Sequence, residues 1–162
     1  MALPADFGYD ASWVSGESRM AATILPQLTL AGGVIAVTAV IHAVFIVMVR
    51  DWLRLSEPRP GVIDEIVSVI KLTFISLWLI AAHVMSAGVW ALVYLRTGTS
   101  EDFEAALYFA LSTYTTLGFG DVLAPREWEL LTGFASLNGL LMFGLTAAVL
   151  VDAAARLRTP RR

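Results

Sequence analysis

The chain contains no cysteine, and only 15% of its 162 residues are Asp, Glu, Lys or Arg. Without thiols there is no disulfide, no thiolate nucleophile and no zinc–thiolate centre. A soluble domain is about 45–50% apolar and about a quarter charged. Here 57% of residues are hydrophobic and mean hydropathy is +0.72, the composition of a membrane protein. Enzyme signatures are also missing. There are only two histidines and no H-E-x-x-H or G-x-S-x-G pattern, which argues against common hydrolase chemistries. A net charge of −3 gives nucleic acid nothing to bind. Met1–Gly16 contains no Lys or Arg, so a cleaved signal peptide is not expected.

What is present is a series of apolar runs. Leu28–Val49 is 22 residues without a formal charge. At 1.5 Å per residue it reaches roughly 33 Å, enough for a hydrocarbon core of about 30 Å. Gly32, Gly33 and several alanines suit close helix packing. The run Arg50–Glu65, with Arg50, Arg54, Arg59 and Pro58-Arg59-Pro60-Gly61, reads as a loop with a short interfacial helix over Arg50–Leu55. Ile66–Leu95 is a second span, with Lys71 placed to snorkel. Leu130–Ala155 is a third, followed by Arg156, Arg158, Arg161 and Arg162. Trp128 and the N-terminal Phe7, Tyr9 and Trp13 suit a membrane interface. His42, His83 and Ser86 lie inside apolar runs. A neutral imidazole bonded to a neighbouring helix explains each histidine, and proton sensing is the other reading.

Between the second and third spans lies a shorter helical pattern. Thr99 or Ser100 followed by Glu101, Asp102 and Glu104 is a helix start signal. The apolar part, Ala105–Tyr114, is about ten residues, too short to cross a bilayer. It reads as a re-entrant helix. Thr115-Thr116-Leu117-Gly118-Phe119-Gly120-Asp121 follows. Non-helical backbone at membrane depth is tolerated only where it lines a cavity or is buried in protein. The two glycines permit φ > 0 at alternate positions, which would turn successive carbonyl oxygens to one side.

This stretch resembles the selectivity filter of potassium channels, whose pattern is T-V-G-Y-G-D. Leu117 and Phe119 depart from it, in a form similar to the second pore of two-pore-domain potassium channels and to small bacterial pore proteins. The resemblance covers residues 66–155. It implies an all-α membrane protein with the potassium-channel pore fold: outer helix, re-entrant pore helix, filter and inner helix. The helix over 28–49 is an addition to that plan. One filter per chain and no internal repeat imply a homotetramer. The segmentation is then 1–27 extracellular, 28–49 extra transmembrane helix, 50–65 cytoplasmic loop, 66–155 pore domain with the filter at 116–121, and 156–162 basic cytoplasmic tail.

The family's roles fall on particular residues. Thr116, Leu117, Gly118, Phe119 and Gly120 would hold permeant potassium ions, with Thr115, Asp121 and Ser112 as filter support. Gly139 would be the hinge of the inner helix, or else a site of close packing. Leu140 and Phe143 would line the cavity. Phe119 would pack on pore-helix aromatics such as Tyr108 and Phe109, and Asn138 would bond to the pore helix or filter base. Asp152 would stand at the inner mouth, as a fourfold carboxylate ring or paired with Arg156 four residues on. No span carries Arg or Lys at every third position, so no usual voltage sensor is expected. The alternative is a weakly selective cation channel on the same scaffold. Membrane lipids, the chain itself and an unidentified regulatory partner are the expected partners.

Charge sets the orientation. Eight of the eleven Lys and Arg lie in the 50–65 loop, at Lys71 or in the tail, against Arg19, Arg96 and Arg126. The positive-inside rule places the loop and C-terminus in the cytoplasm and the N-terminus outside, in the cell (inner) membrane.

Overall fold

The computed structural model describes residues 12–55 and 62–158, and side chains over 23–54 and 65–157. The expectations for Phe7, Tyr9, the Pro58–Gly61 turn and residues 159–162 fall outside these. The described backbone is helical almost throughout: α1 Ser12–Leu55, α2 Val62–Arg96, α3 Phe103–Tyr114 and α4 Glu129–Arg158, with a 3₁₀ turn Arg126–Trp128 leading into α4. Three stretches are long and apolar enough to cross a membrane: Thr23–Arg54, Glu65–Arg96 and Arg126–Leu157.

α1 is longer than its charge-free core. Its 44 residues run through Pro26 and on through Arg50 and Arg54. The charges that bound the apolar run mark where the helix meets water rather than where it stops. Proline removes one backbone donor, and nearby polar side chains bond locally: Gln27 Nε2 donates to the Thr23 carbonyl at 3.1 Å and Thr29 Oγ1 to that of Leu25 at 3.1 Å.

α2 ends at a glycine. Gly98 has φ +71°, and the Thr99 amide reaches back to the Tyr94 carbonyl at 2.9 Å. A left-handed residue just past a helix, with this longer-range bond, closes off its last carbonyls. α3 then starts two to three residues later than a cap at Thr99 or Ser100 would place it. Asp102, rather than Thr99 or Ser100, is the N-cap, and its Oδ1 accepts from the Ala105 amide at 2.9 Å. Twelve residues give α3 a length of about 18 Å, so it enters the membrane without crossing it.

The interior has two apolar clusters. The larger surrounds α3 and contains Val34, Trp90, Tyr94, Phe109, Tyr114, Leu131 and Met142. The smaller joins Val49, Ile75, Leu79 and Ala153 near the far ends of α1, α2 and α4. A belt of buried polar side chains completes the interior: Thr38 and His42 of α1, His83 and Ser86 of α2, and Asn138 and Thr146 of α4. α1 packs on both α2 and α4. Its buried Gln27 accepts from the Leu130 amide at 3.0 Å, which satisfies one of the open N–H groups at the start of α4. Thr38 Oγ1 accepts from Asn138 Nδ2 at 2.8 Å. The first helix is therefore bonded into the subunit at several levels.

Candidate functional site

α3 delivers its C-terminus to the stretch singled out above. The Thr115 amide and hydroxyl both donate to the Leu111 carbonyl, at 3.0 and 2.7 Å. The Thr116 amide donates to Thr113 at 3.0 Å, and the chain then leaves the helix. The amides of Leu117 and Gly118 both turn back to the Ser112 carbonyl, at 2.9 and 3.2 Å. Ser112 thus holds the base of the strand through its backbone oxygen.

The strand alternates in handedness. Thr116, Gly118 and Gly120 have φ of +61°, +52° and +79°, while Leu117 and Phe119 between them stay at negative φ. The alternation therefore extends one step below the glycines, onto a residue with a Cβ. A non-glycine residue held there stores about 1–3 kcal/mol, which persists only where its surroundings dictate the conformation. Residues 115–121 are all exposed in the single chain.

The far end of the strand is tied back to α3. Tyr108 donates its hydroxyl to Asp121 Oδ2 at 2.7 Å, and this bond also raises the phenol above its usual range. Phe119 does not pack on Tyr108 and Phe109 within the chain. Its side chain is 65% exposed, Tyr108 serves Asp121, and Phe109 packs edge-on to Tyr94 at 4.8 Å.

α4 supports α3 from behind. Ser136 Oγ donates to the Thr113 carbonyl at 2.8 Å. At Gly139 a Cβ would stand 1.8 Å from the Tyr114 oxygen, so this glycine is needed for the approach of α4 to the pore-helix end. Gly144 has open space around it within the chain. Asn138 bonds to Thr38 of α1 rather than to the pore helix or filter base, and its buried Oδ1 has no partner among the described residues. Leu140 is 57% exposed; Phe143 lays one face on the His83 ring at 4.1 Å and 13°. Asp152 Oδ2 accepts from Arg156 Nε at 2.9 Å, both side chains being about half exposed.

The Tyr108–Asp121 tie escapes sequence reasoning, and the histidines follow it only in kind: each bonds to a neighbouring helix as expected, but that His42 and His83 meet across α1 and α2 at 3.3 Å is not read from the sequence. Their only sequence signal is a polar group on an otherwise apolar helix face.

Three membrane-crossing helices and a half-length helix ending in a handed strand define an integral membrane protein of the channel class. The comparisons agree. A family model for ion channels matches residues 70–156, more than half of the chain, and the chain belongs to that family. The match begins inside α2 and ends near the end of α4, so α1 lies outside it. No curated protein and no solved structure matches the chain.

Proposed function

We propose that four copies of the chain surround one axis and conduct potassium selectively down its gradient. The alternating left-handed φ at Thr116, Gly118 and Gly120 carries this reading. Such a strand can aim consecutive carbonyls at one side, and four of them would build stacked oxygen rings that replace an ion's hydration shell. The carbonyls of Thr116, Leu117, Gly118 and Phe119, with the Thr116 hydroxyl, are the ligands in this reading, and Gly120 allows the outermost turn. The C-terminus of α3 adds a partial negative charge that favours a cation below the strand. Leu140 and Phe143 border the cavity, and Asp152 stands near its cytoplasmic mouth. The N-terminus faces outside and the loop after α1 faces the cytoplasm, in keeping with the basic residues there.

The test is a reversal potential for the purified chain in liposomes, with potassium on one side and sodium on the other. A selective pore follows the potassium gradient by about 59 mV per tenfold step. A reversal near zero would favour the weakly selective cation pore instead. Gly118→Ala puts a Cβ on a residue at φ +52°, at a cost of about 1–2 kcal/mol per chain. Potassium current should vanish. Selectivity like that of the parent in this variant would refute the filter assignment, and cross-linking to any species other than a tetramer would refute the assembly.

A further inference from the structure

An imidazole withdrawn from water needs partners for both nitrogens. His42 is fully buried and His83 is 7% exposed. His42 Nδ1 lies 2.9 Å from the Thr38 carbonyl, which can only accept. That nitrogen therefore carries the proton, and Nε2 of neutral His42 is an acceptor. Its neighbour at 3.3 Å is His83 Nδ1, which must donate. His83 Nε2 is then left with a lone pair, which faces the Thr146 hydroxyl at 3.0 Å. One neutral arrangement satisfies all four ring nitrogens: a run of donors passes from Thr146 through His83 and His42 to the Thr38 carbonyl. Both imidazoles carry their proton on Nδ1.

This arrangement has room for one more proton. On His83 Nε2 it is accommodated when the Thr146 hydroxyl rotates from donor to acceptor, and no hydrogen bond is lost. A second proton could go only to His42 Nε2, where it would oppose the N–H of His83 directly. Burial away from water works against a charge at this pair, and two neighbours oppose that cost. Phe143 stacks on the His83 ring, a face that attracts cations. Tyr114, the last residue of α3, lies 3.5 Å from His83 Nδ1 through its hydroxyl. The imidazolium would therefore sit below the negative end of the pore-helix dipole: Gly139, which meets the Tyr114 carbonyl, stands seven residues, about 10 Å, from Thr146 along α4.

No other charge competes. Apart from the two histidines, the titratable groups facing the pair reduce to the Tyr114 phenol. α1 has no formal charge between Arg19 and Arg50, α2 none between Lys71 and Arg96, α3 none between Glu104 and Asp121, and α4 none between Glu129 and Asp152. The nearest along a helix is Asp152, about 9 Å below Thr146 at 1.5 Å per residue.

We propose that His42 and His83 form a one-proton binding site bridging α1 and α2, and that its occupation lowers cation conduction. The coupling rests on the proposed function. A proton at His83 offsets the partial negative charge at the end of α3, which otherwise favours a cation beneath the strand. The extra helix α1 supplies half of the site, so pH sensitivity would be a property of this added element. Proton uptake forms an N–H bond at His83 Nε2 and reverses one hydroxyl, with no other chemistry.

The full chain in liposomes, with equal potassium and equal pH on both sides, tests the coupling between about pH 8 and about pH 3.5, a range extended downward because burial opposes the charged ring. Conductance should fall along a one-proton curve as pH drops, and His83→Gln should flatten the curve. Thr146→Val keeps the shape of the side chain but removes the oxygen that accepts the new N–H. It should move the fall by about one pH unit to the acid side, tenfold in proton concentration. Imidazole ¹⁵N spectra of the same samples should show both rings protonated on Nδ1 at the alkaline end, with one proton gained per pair on acidification. The same pH profile in the parent and His83→Gln would overturn the coupling. A proton on Nε2 of His42 at alkaline pH, or no uptake over the range, would overturn the site. Absence of current already at about pH 8 would overturn the proposed function and with it the coupling, while the spectra would still decide the proton site.

Discussion

Replacing Gly139 with alanine separates two roles for the same residue. A Cβ there would lie 1.8 Å from the Tyr114 oxygen and 2.8 Å from its carbonyl carbon. Close carbon–oxygen contacts in proteins settle near 3.3 Å, so about 1.5 Å must be recovered. Both partners are helix backbone, and Tyr114 has little freedom. The adjoining Thr113 carbonyl accepts from the Thr116 amide and from Ser136 Oγ. Overpacking of this kind costs about 1–3 kcal/mol, while alanine in place of glycine returns about 1 kcal/mol of helix propensity. With backbone on both sides of the contact the upper part of that range, about 2–3 kcal/mol, applies, and a net loss of about 1–2 kcal/mol per chain follows. If Gly139 were only a hinge, the propensity term would stand alone, and the variant would be more stable but slower to open. The two roles thus predict opposite signs. Tryptophan fluorescence during heating in detergent with potassium should show a lower midpoint, by about 2–4 °C for each kcal/mol. Flux in liposomes should fall as well, because Tyr114 lies two residues before Thr116. An unchanged or raised midpoint with normal flux would refute the packing argument.

Tyr108→Phe removes the donor to Asp121 and leaves the packing largely intact. Current should decay faster at low external potassium than in the parent, and equal decay rates would count against the tie. Thr38→Val takes away the acceptor for Asn138 Nδ2, and Oδ1 of that residue already lacks a donor among the described residues. A buried amide left unpaired costs about 1–3 kcal/mol, which thermal unfolding should register; Asn138→Leu added to Thr38→Val should recover part of it. For Asp152→Asn, loss of an exposed pair with Arg156 costs only a few tenths of a kcal/mol. If the side chain also faces the axis, the variant should show weaker block by internal magnesium, most visibly at low ionic strength; unchanged block would leave Asp152 as a local partner of Arg156.

The parts of this protein that depend on local chemistry were legible in the sequence. Apolar runs with at most one formal charge each, long enough to cross hydrocarbon, located the three spans, because lipid leaves no other way to satisfy so many backbone groups. The short run before Thr115 could not span, and it folds as the half-length α3. Gly118 and Gly120 marked where left-handed backbone would fall, since only glycine adopts it without strain, and both have positive φ. Ends were less legible. α1 continues through Arg50 and Arg54, since a charge stops hydrophobic burial but not a helix, and the α3 cap fell to Asp102. What only the tertiary structure decided is how the helices face one another. Helices that are apolar nearly all round carry no periodicity to set their rotation. Nothing local could therefore tell that Gly139 meets Tyr114 rather than open space, that Asn138 reaches across to Thr38, or that His42 and His83, 41 residues apart, meet on one bond. Those pairings follow from the way three helices and the end of α3 pack together. In hydrocarbon an unpaired polar group is costly, which favours a packing that pairs most of them.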